Sequence, residues 1–529
     1  MPDDTPADKD PQAQEPEREN RRVWLFVAAV AAGLLVVLVA LLLVNRRSGR
    51  QKERAAEACL KALYAMNFPR AVEMFEEFRE LTAADIPAEV RDEYMRLSAD
   101  RYNKNYPLPP AKPDRHFLHY FLHRALLTCR YAQGAFRGAE DRPAMAKAAL
   151  DYVRTNVQAD PTPIEKQPVH MNPIDVLNRG YGNAVQMSWA MAYLLRNAGL
   201  HAAVGFLHPT DDDPRYALVG VLIDRRLYLF DPFRGVALCR AADGRVADLR
   251  SLLSGEHELA PRFGGPGSPV RVERLRKAAY FVPADTGNVT PDAWLLNQIL
   301  RGGGAHHVLY RPFRGDLRQL GAAVFGEGTR VRSPSRNHWL LAAGDLKRRV
   351  GLWPFPFMVD QAKTKPGYGE RFIRAYPGAA VYWDVRSDQL MCNEKLSPAV
   401  RQQYGQLLEE HKDHPRFAED LTFFRGRLAH TPAEQAGLMA GYLAEYPDGR
   451  WQPLAAMLQA ELEARLGHGN VVRELTRGIE PPSPYALRAR LLEQAISEKE
   501  SGRAIINWRF PEPEPKEEEP AEQPEPAGE

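Results

Sequence analysis

The chain has few cysteines and no excess of charge of either sign. Four thiols, Cys59, Cys129, Cys239 and Cys392, are spread over 529 residues, with no CxxC pair or other close spacing. This excludes a sequence-encoded zinc cluster and a disulfide scaffold, both of which need grouped cysteines, and leaves scattered buried thiols as the expectation. The 70 lysines and arginines nearly balance the 68 aspartates and glutamates, so the overall charge carries no footprint of a nucleic-acid partner. A glycine run, Gly302 to Gly304, precedes His306 and His307 but lacks the GKS or GKT ending and the preceding strand of a phosphate loop. No cofactor is expected from these patterns.

What the sequence does hold is one long apolar run. From Val23 to Val44 it carries no charge, and at about 1.5 Å per residue such a run spans a hydrocarbon core of about 30 Å. The run ends directly in Asn45, Arg46 and Arg47 rather than at a small-residue cleavage site, so residues 23–44 are expected to be an uncleaved single-pass transmembrane helix. Arg18, Arg21 and Arg22 precede it, and Arg46, Arg47, Arg50, Lys52 and Arg54 follow it. That bias leans only slightly towards a cytoplasmic C-terminal part and leaves the membrane face open. Residues 1–22, rich in Pro, Asp, Glu and Gln, and the Pro-Glu tail 510–529 are expected to be disordered, because neither can bury enough apolar surface to order itself.

A chain of this length exceeds the roughly 250 to 300 residues that one core usually supports, so two or three soluble units are expected. Residues 53–106 read as helical: Ala55, Cys59, Leu60 and Leu63 recur at helical spacing, as do Ala71, Met74, Phe75 and Phe78 after a break at Asn67, Phe68 and Pro69. The pair resembles the helix-turn-helix unit of tetratricopeptide-type repeats, but a single pair is weak evidence for an array, and a stalk of packed helices is the expectation. In RHFLHYFLHR, His116, His119 and His123 share one face of a helix, a weak candidate for a metal site. Against it, three ligands over two turns of one straight helix do not converge easily. Phe117, Leu118, Phe121 and Leu122 make an amphipathic packing helix the favoured reading.

The informative constellation lies within residues 107–283. A helix is expected over Ala144 to Val157. Then Gly180 and Gly182 permit a tight turn, Asn183 is a good N-cap and Gly199 suits a helix end, so a helix is expected over Ala184 to Asn197. Its apolar residues surround most of the circumference, as a buried helix requires. AAVGFL from Ala202, ALVGVLI from Ala217 and LYLFDP from Leu227 follow as successive antiparallel strands, the last two joined by Asp224, Arg225 and Arg226.

A glycine turn opening a buried helix that ends in LLRNAGL, followed by strands closing on LYLFDP, resembles the transglutaminase-like core of the papain-related cysteine enzymes, here over about residues 140–250. The resemblance implies a cysteine at the helix start, a histidine opening the second strand and an aspartate ending the third. A helix N-terminus and a neighbouring imidazolium favour the thiolate, and the aspartate orients the ring. In this chain those positions hold Ala184, Tyr216 and Asp231. A methyl group cannot attack a carbonyl, and a phenol is a poor base at neutral pH. The resemblance therefore implies a pseudoenzyme. Among neighbours, Ser188 reads as a mid-helix packing residue, Cys239 lies on the wrong element, and His208 sits in a loop beside Pro209.

Residues 284–396 mix strand-like pieces such as AAVYWDV (379–385) with helices, and 397–509 is mostly helical. Helices are expected over Arg416 to Leu428, Pro432 to Tyr446 and Gln452 to Leu466, with Ala436, Met439, Ala440, Leu443 and Leu454, Leu458, Leu462, Leu466 as apolar faces. The expected fold is thus α+β: a transmembrane helix, a helical stalk, a transglutaminase-like core and a tetratricopeptide-like C-terminal region. Two functions remain open. One is a membrane-tethered binding or scaffolding module for a protein partner. The other is an enzyme, with a relocated nucleophile or with a metal on the His116 face.

Overall fold

Prolines, glycines and short polar caps punctuate the chain, and they set the element ends. The structure, a computed structural model, describes residues 49–65, 67–99, 115–160, 173–207, 216–264, 268–285, 290–302, 350–355, 415–427, 429, 431–500 and 510–511, with a few isolated residues between 319 and 413. Several sequence expectations lie outside these: the apolar run 23–44, both tails apart from Phe510 and Pro511, His208, His306, His307, AAVYWDV and Cys392. Among the described residues no helix is long and apolar enough to cross a membrane.

The chain divides after Asp85 into two units. In the first, α1 (49–64) and α2 (Phe68–Thr82) meet at Asn67, whose side chain accepts the Arg70 N–H at 3.3 Å. Ala55, Cys59 and Leu63 are buried in one helix, and Ala71, Phe75 and Phe78 in the other. The Cys59 thiol donates to the Ala71 carbonyl oxygen at 3.5 Å, and burial pushes it up to about 12.

The second unit opens with α3 (Ala88–Ala99), α4 (Arg115–Ala135), α5 (Arg142–Asn156), β1 (Gln158–Ala159), α6 (Pro173–Arg179), β2 (Tyr181–Gly182) and α7 (Ala184–Asn197). Next come β3 (His201–Leu207), β4 (Tyr216–Ile223), β5 (Arg226–Asp231), β6 (Val236–Ala237), α8 (Leu249–Ser254), α9 (Pro261–Gly264) and α10 (Val272–Lys277). Then β7 (Ala279–Asp285), α11 (Pro291–Gly302) and β8 (Val350–Phe355) precede five helices: α12 (Pro415–Gly426), α13 (Pro432–Glu445), α14 (Gln452–Leu466), α15 (Gly469–Arg477) and α16 (Ala486–Glu500). Helix and strand are mixed, as an α+β fold requires.

The main sheet runs in the order β6, β5, β4, β3, β7, β8. The three strands read from the sequence pair antiparallel, and β7 and β8 extend them, with β8 parallel to β7. Both faces are buried. Ala217, Val219, Val221 and Ile223 of β4 join a core with α7, while Leu218 and Leu222 join a second core with residues of α8 and α10. That is why β4 is buried along its whole length, rather than alternating as a one-sided antiparallel strand does.

Close packing across the sheet uses glycine where no methyl fits: a Cβ on Gly205 would lie 2.5 Å from the Tyr280 ring. The β4–β5 hairpin does the opposite. Asp224 and Arg225 form its two-residue turn with φ of 47° and 62°, the left-handed region that such turns normally give to Asn-Gly.

The C-terminal helices pack on this core. Trp451 stacks on Phe423 at 4.8 Å, and its indole N–H donates to Asp420 at 2.7 Å. Ala159 of β1 donates its N–H to the Tyr485 hydroxyl at 2.8 Å. Two expected faces are corrected. Ala440 and Leu466 are exposed, and Tyr442 takes the buried place on α13. Helix α14 is buried on all sides from Leu454 to Ala460, because β1 and the neighbouring helices cover it. Phe510, where the Pro-Glu tail begins, packs edge-on against Tyr228 at 5.1 Å.

One charge node joins three helices. Glu461 of α14 pairs with Arg154 of α5 at 2.7 Å and with Arg488 of α16. Burial alone would raise its carboxyl, but the two guanidiniums outweigh that and hold it at about 2, against its ordinary 4.5. The folded state therefore binds fewer protons in that window. Its stabilisation is complete above about pH 4.5 and disappears as the pH falls towards 2. Glu461→Gln is expected to cost about 3 kcal/mol at pH 7 and to flatten the acid limb of the Tm profile between pH 5 and 2, measured by thermal unfolding. Arg225→Gly, which relieves a left-handed side chain, is expected to stabilise the protein by about 1 kcal/mol in the same assay.

Candidate functional site

The site begins at the glycine turn before α7. Gly180 has φ of 73°, a conformation that suits glycine, and the Val176 side chain lies 3.0 Å from where a Gly182 Cβ would stand. Asn183 then caps the helix reciprocally. Its side chain accepts the Gln186 N–H at 3.0 Å, and the Gln186 side chain accepts the Asn183 N–H at 3.0 Å. This capping box fixes Ala184 as the first residue of α7, at the positive end of the helix dipole. Its methyl group is buried in one apolar cluster with Tyr216, Leu229 and Cys239.

Tyr216 opens β4 and Asp231 ends β5. The β4–β5 register brings the two ends together. The Asp231 carboxylate has no solvent exposure, and the Tyr216 hydroxyl reaches both its oxygens, at 2.9 and 2.8 Å. The Arg234 N–H donates to Oδ1 at 3.0 Å, and its guanidinium forms an ion pair with Oδ2. From there Arg234 Nη1 reaches the Ser268 hydroxyl at 3.4 Å, and Ser268 donates to the Phe263 carbonyl oxygen. Phe233 packs edge-on against Tyr216 at 5.9 Å. Both carboxylate oxygens are taken.

The electrostatics follow from that enclosure. Burial, and then the Asp231 charge, push the Tyr216 phenol well above its ordinary value. Burial alone would lower the Arg234 guanidinium, but Asp231 outweighs it and the net shift is upward. At neutral pH the hydroxyl is a donor, and it has no tendency to take a proton.

Tyr216 and Asp231, read from the sequence, are thus joined directly, and Ala184 lies in the same cluster as Tyr216. Arg234 was not read from the sequence. Its signal is slight, a cation three residues after an aspartate in a turn.

The other candidates are tied elsewhere. The fully buried Ser188 hydroxyl donates to the Ala217 carbonyl oxygen at 3.0 Å, bridging α7 to β4. Cys239 donates to the Ala237 carbonyl oxygen at 3.5 Å, and burial raises its thiol to about 11. Burial likewise raises Cys129 to about 12. Helix α4 carries His116, His119 and His123, but the side chains of His116 and His119 lie outside the described set. Among the described residues no group of three or more His, Cys, Asp or Glu side chains is placed to hold a metal ion.

Removing one member of the buried trio exposes the cost of the others. Asp231→Ala leaves a buried guanidinium uncompensated, and an expected loss of about 3–5 kcal/mol follows. Tyr216→Phe removes only a hydroxyl donor from a carboxylate that keeps Arg234, and should cost about 1–3 kcal/mol. Urea unfolding of the two variants measures the difference.

Compared with known proteins, the chain gives a single kind of match. No curated protein and no solved structure matches it. Residues 130–232, from α4 to the end of β5, match the family model of the transglutaminase-like superfamily, and a transglutaminase-like domain is present in this chain.

Proposed function

We propose that this protein is membrane-anchored and uses its transglutaminase-like domain as a binding or scaffolding module for a protein partner, without acyl-transfer chemistry. The observation that carries this reading is the Tyr216–Asp231–Arg234 trio. By resemblance, a histidine would take a proton from a nucleophile at Tyr216, yet the hydroxyl there donates to a carboxylate and its phenol is raised well above 10. Ala184 offers no nucleophilic atom. The thiols of Cys59, Cys129 and Cys239 are buried and raised, away from the thiolate form that attack requires.

Anchoring rests on the uncharged run from Val23 to Val44. A scaffolding role is favoured by helices α12 to α16, which lay further surface beside the domain for a partner to contact. The test uses the full-length chain in cells and in detergent. It should stay with membranes through an alkaline carbonate wash and be released when residues 23–44 are deleted. It should show no saturable labelling by a thiol-directed acyl probe, while a partner is captured in a manner that depends on residues 130–500. Saturable labelling abolished by one Cys→Ser change would instead establish an enzyme.

A further inference from the structure

A cavity lined by several arginines lies away from the site just described. A pocket of about 300 Å³ sits between helices α4 and α5 on one side and α13 and α14 on the other, and its lining includes Arg137, Arg154, Arg427, Arg465, Asp151 and Glu461. The charges on its floor cancel. Arg154 pairs with Asp151 at 2.7 Å and with Glu461 at 2.7 Å, and Glu461 is shared with Arg488.

Two charges at its mouth do not cancel. The Arg137 and Arg465 residues are exposed, and their guanidiniums make no hydrogen bond or ion pair among the described residues. Arg427, half-buried just after α12, also lines the pocket. Thus two unpaired guanidiniums, one from the turn between α4 and α5 and one from α14, line one concavity whose two carboxylates, Asp151 and Glu461, are already paired with Arg154.

We infer that this pocket binds a small multivalent oxyanion, such as the phosphate end of a small molecule. Guanidinium forks match the paired oxygens of phosphate and carboxylate, and the volume is at the lower end of small-ligand sites, about 300–1,000 Å³. A bound anion would contact α14 and the α4–α5 face at once. Binding would therefore strengthen the seat of the C-terminal helices on the transglutaminase-like domain.

The test titrates the full-length chain, in detergent, with pyrophosphate and separately with succinate, each against sodium chloride of matched ionic strength, by calorimetry and thermal unfolding. Saturable binding with a rise in Tm is expected for pyrophosphate. In Arg137→Gln/Arg465→Gln the affinity should fall about tenfold or more while the ligand-free Tm stays at the wild-type value. Saturation by succinate alone would keep the oxyanion site and assign its ligand to carboxylates. No saturation beyond the salt control, or equal binding by the double variant, overturns the proposal. If the double variant unfolds at a lower Tm without ligand, Arg465→Gln alone is titrated, and unchanged affinity there also overturns it.

Discussion

A carboxylate with no access to water must find all its partners inside the protein, and Asp231 sets the local architecture on that account. An unpaired charge in that position would cost several kcal/mol. The fold answers with a hydroxyl from β4, and with a guanidinium and a backbone N–H from the turn after β5. The same bonds hold the end of β4 to the end of β5, set the course of the chain through Phe233 and Arg234, and reach the Ser268 segment. Packing around the helix start at Ala184 then has little freedom left.

The helix behind it obeys the same rule. Every residue of α7 is buried, so its polar side chains cannot turn to solvent. Asn183 and Gln186 satisfy each other's backbone, Ser188 reaches β4, and Asn197 donates back to the Tyr193 carbonyl oxygen at 2.7 Å. These bonds contribute modestly as formed contacts, and their absence would leave buried donors and acceptors unmet. The helix is held in place as much by that requirement as by its apolar surface.

Much of this was legible locally. Gly180, Asn183 and Gly199 mark the ends of α7 because a left-handed residue and a cap are single-residue signals, and the observed helix, Ala184–Asn197, has the expected bounds. The three antiparallel strands were equally readable from alternation and a polar turn. Arg234 was not, since its partner is identified only when the turn after β5 folds back on Asp231. The burial of α14 was hidden for a different reason. Small residues, Ala455, Ala456 and Ala460, sit between its leucines, and only neighbours on every side reveal that they are core. Pairing of β7 with β8 joins segments about seventy residues apart, beyond any local pattern. Phe510 was masked by the composition of the tail that follows it.

Two carboxylates in this fold, Glu461 and Asp420, show how partner number decides protonation. Glu461 faces two guanidiniums and is held at about 2. For Asp420, burial dominates, and Arg450 with the Trp451 indole cannot offset it, so its carboxyl rises to about 6. Asp231 has one guanidinium, but a hydroxyl and a backbone N–H also donate to it. The Tyr216 phenol suits that arrangement: its hydroxyl bonds both carboxylate oxygens, and burial beside the Asp231 charge pushes its own ionisation well above the ordinary value, so the site keeps a neutral donor where a group titrating near neutrality would not.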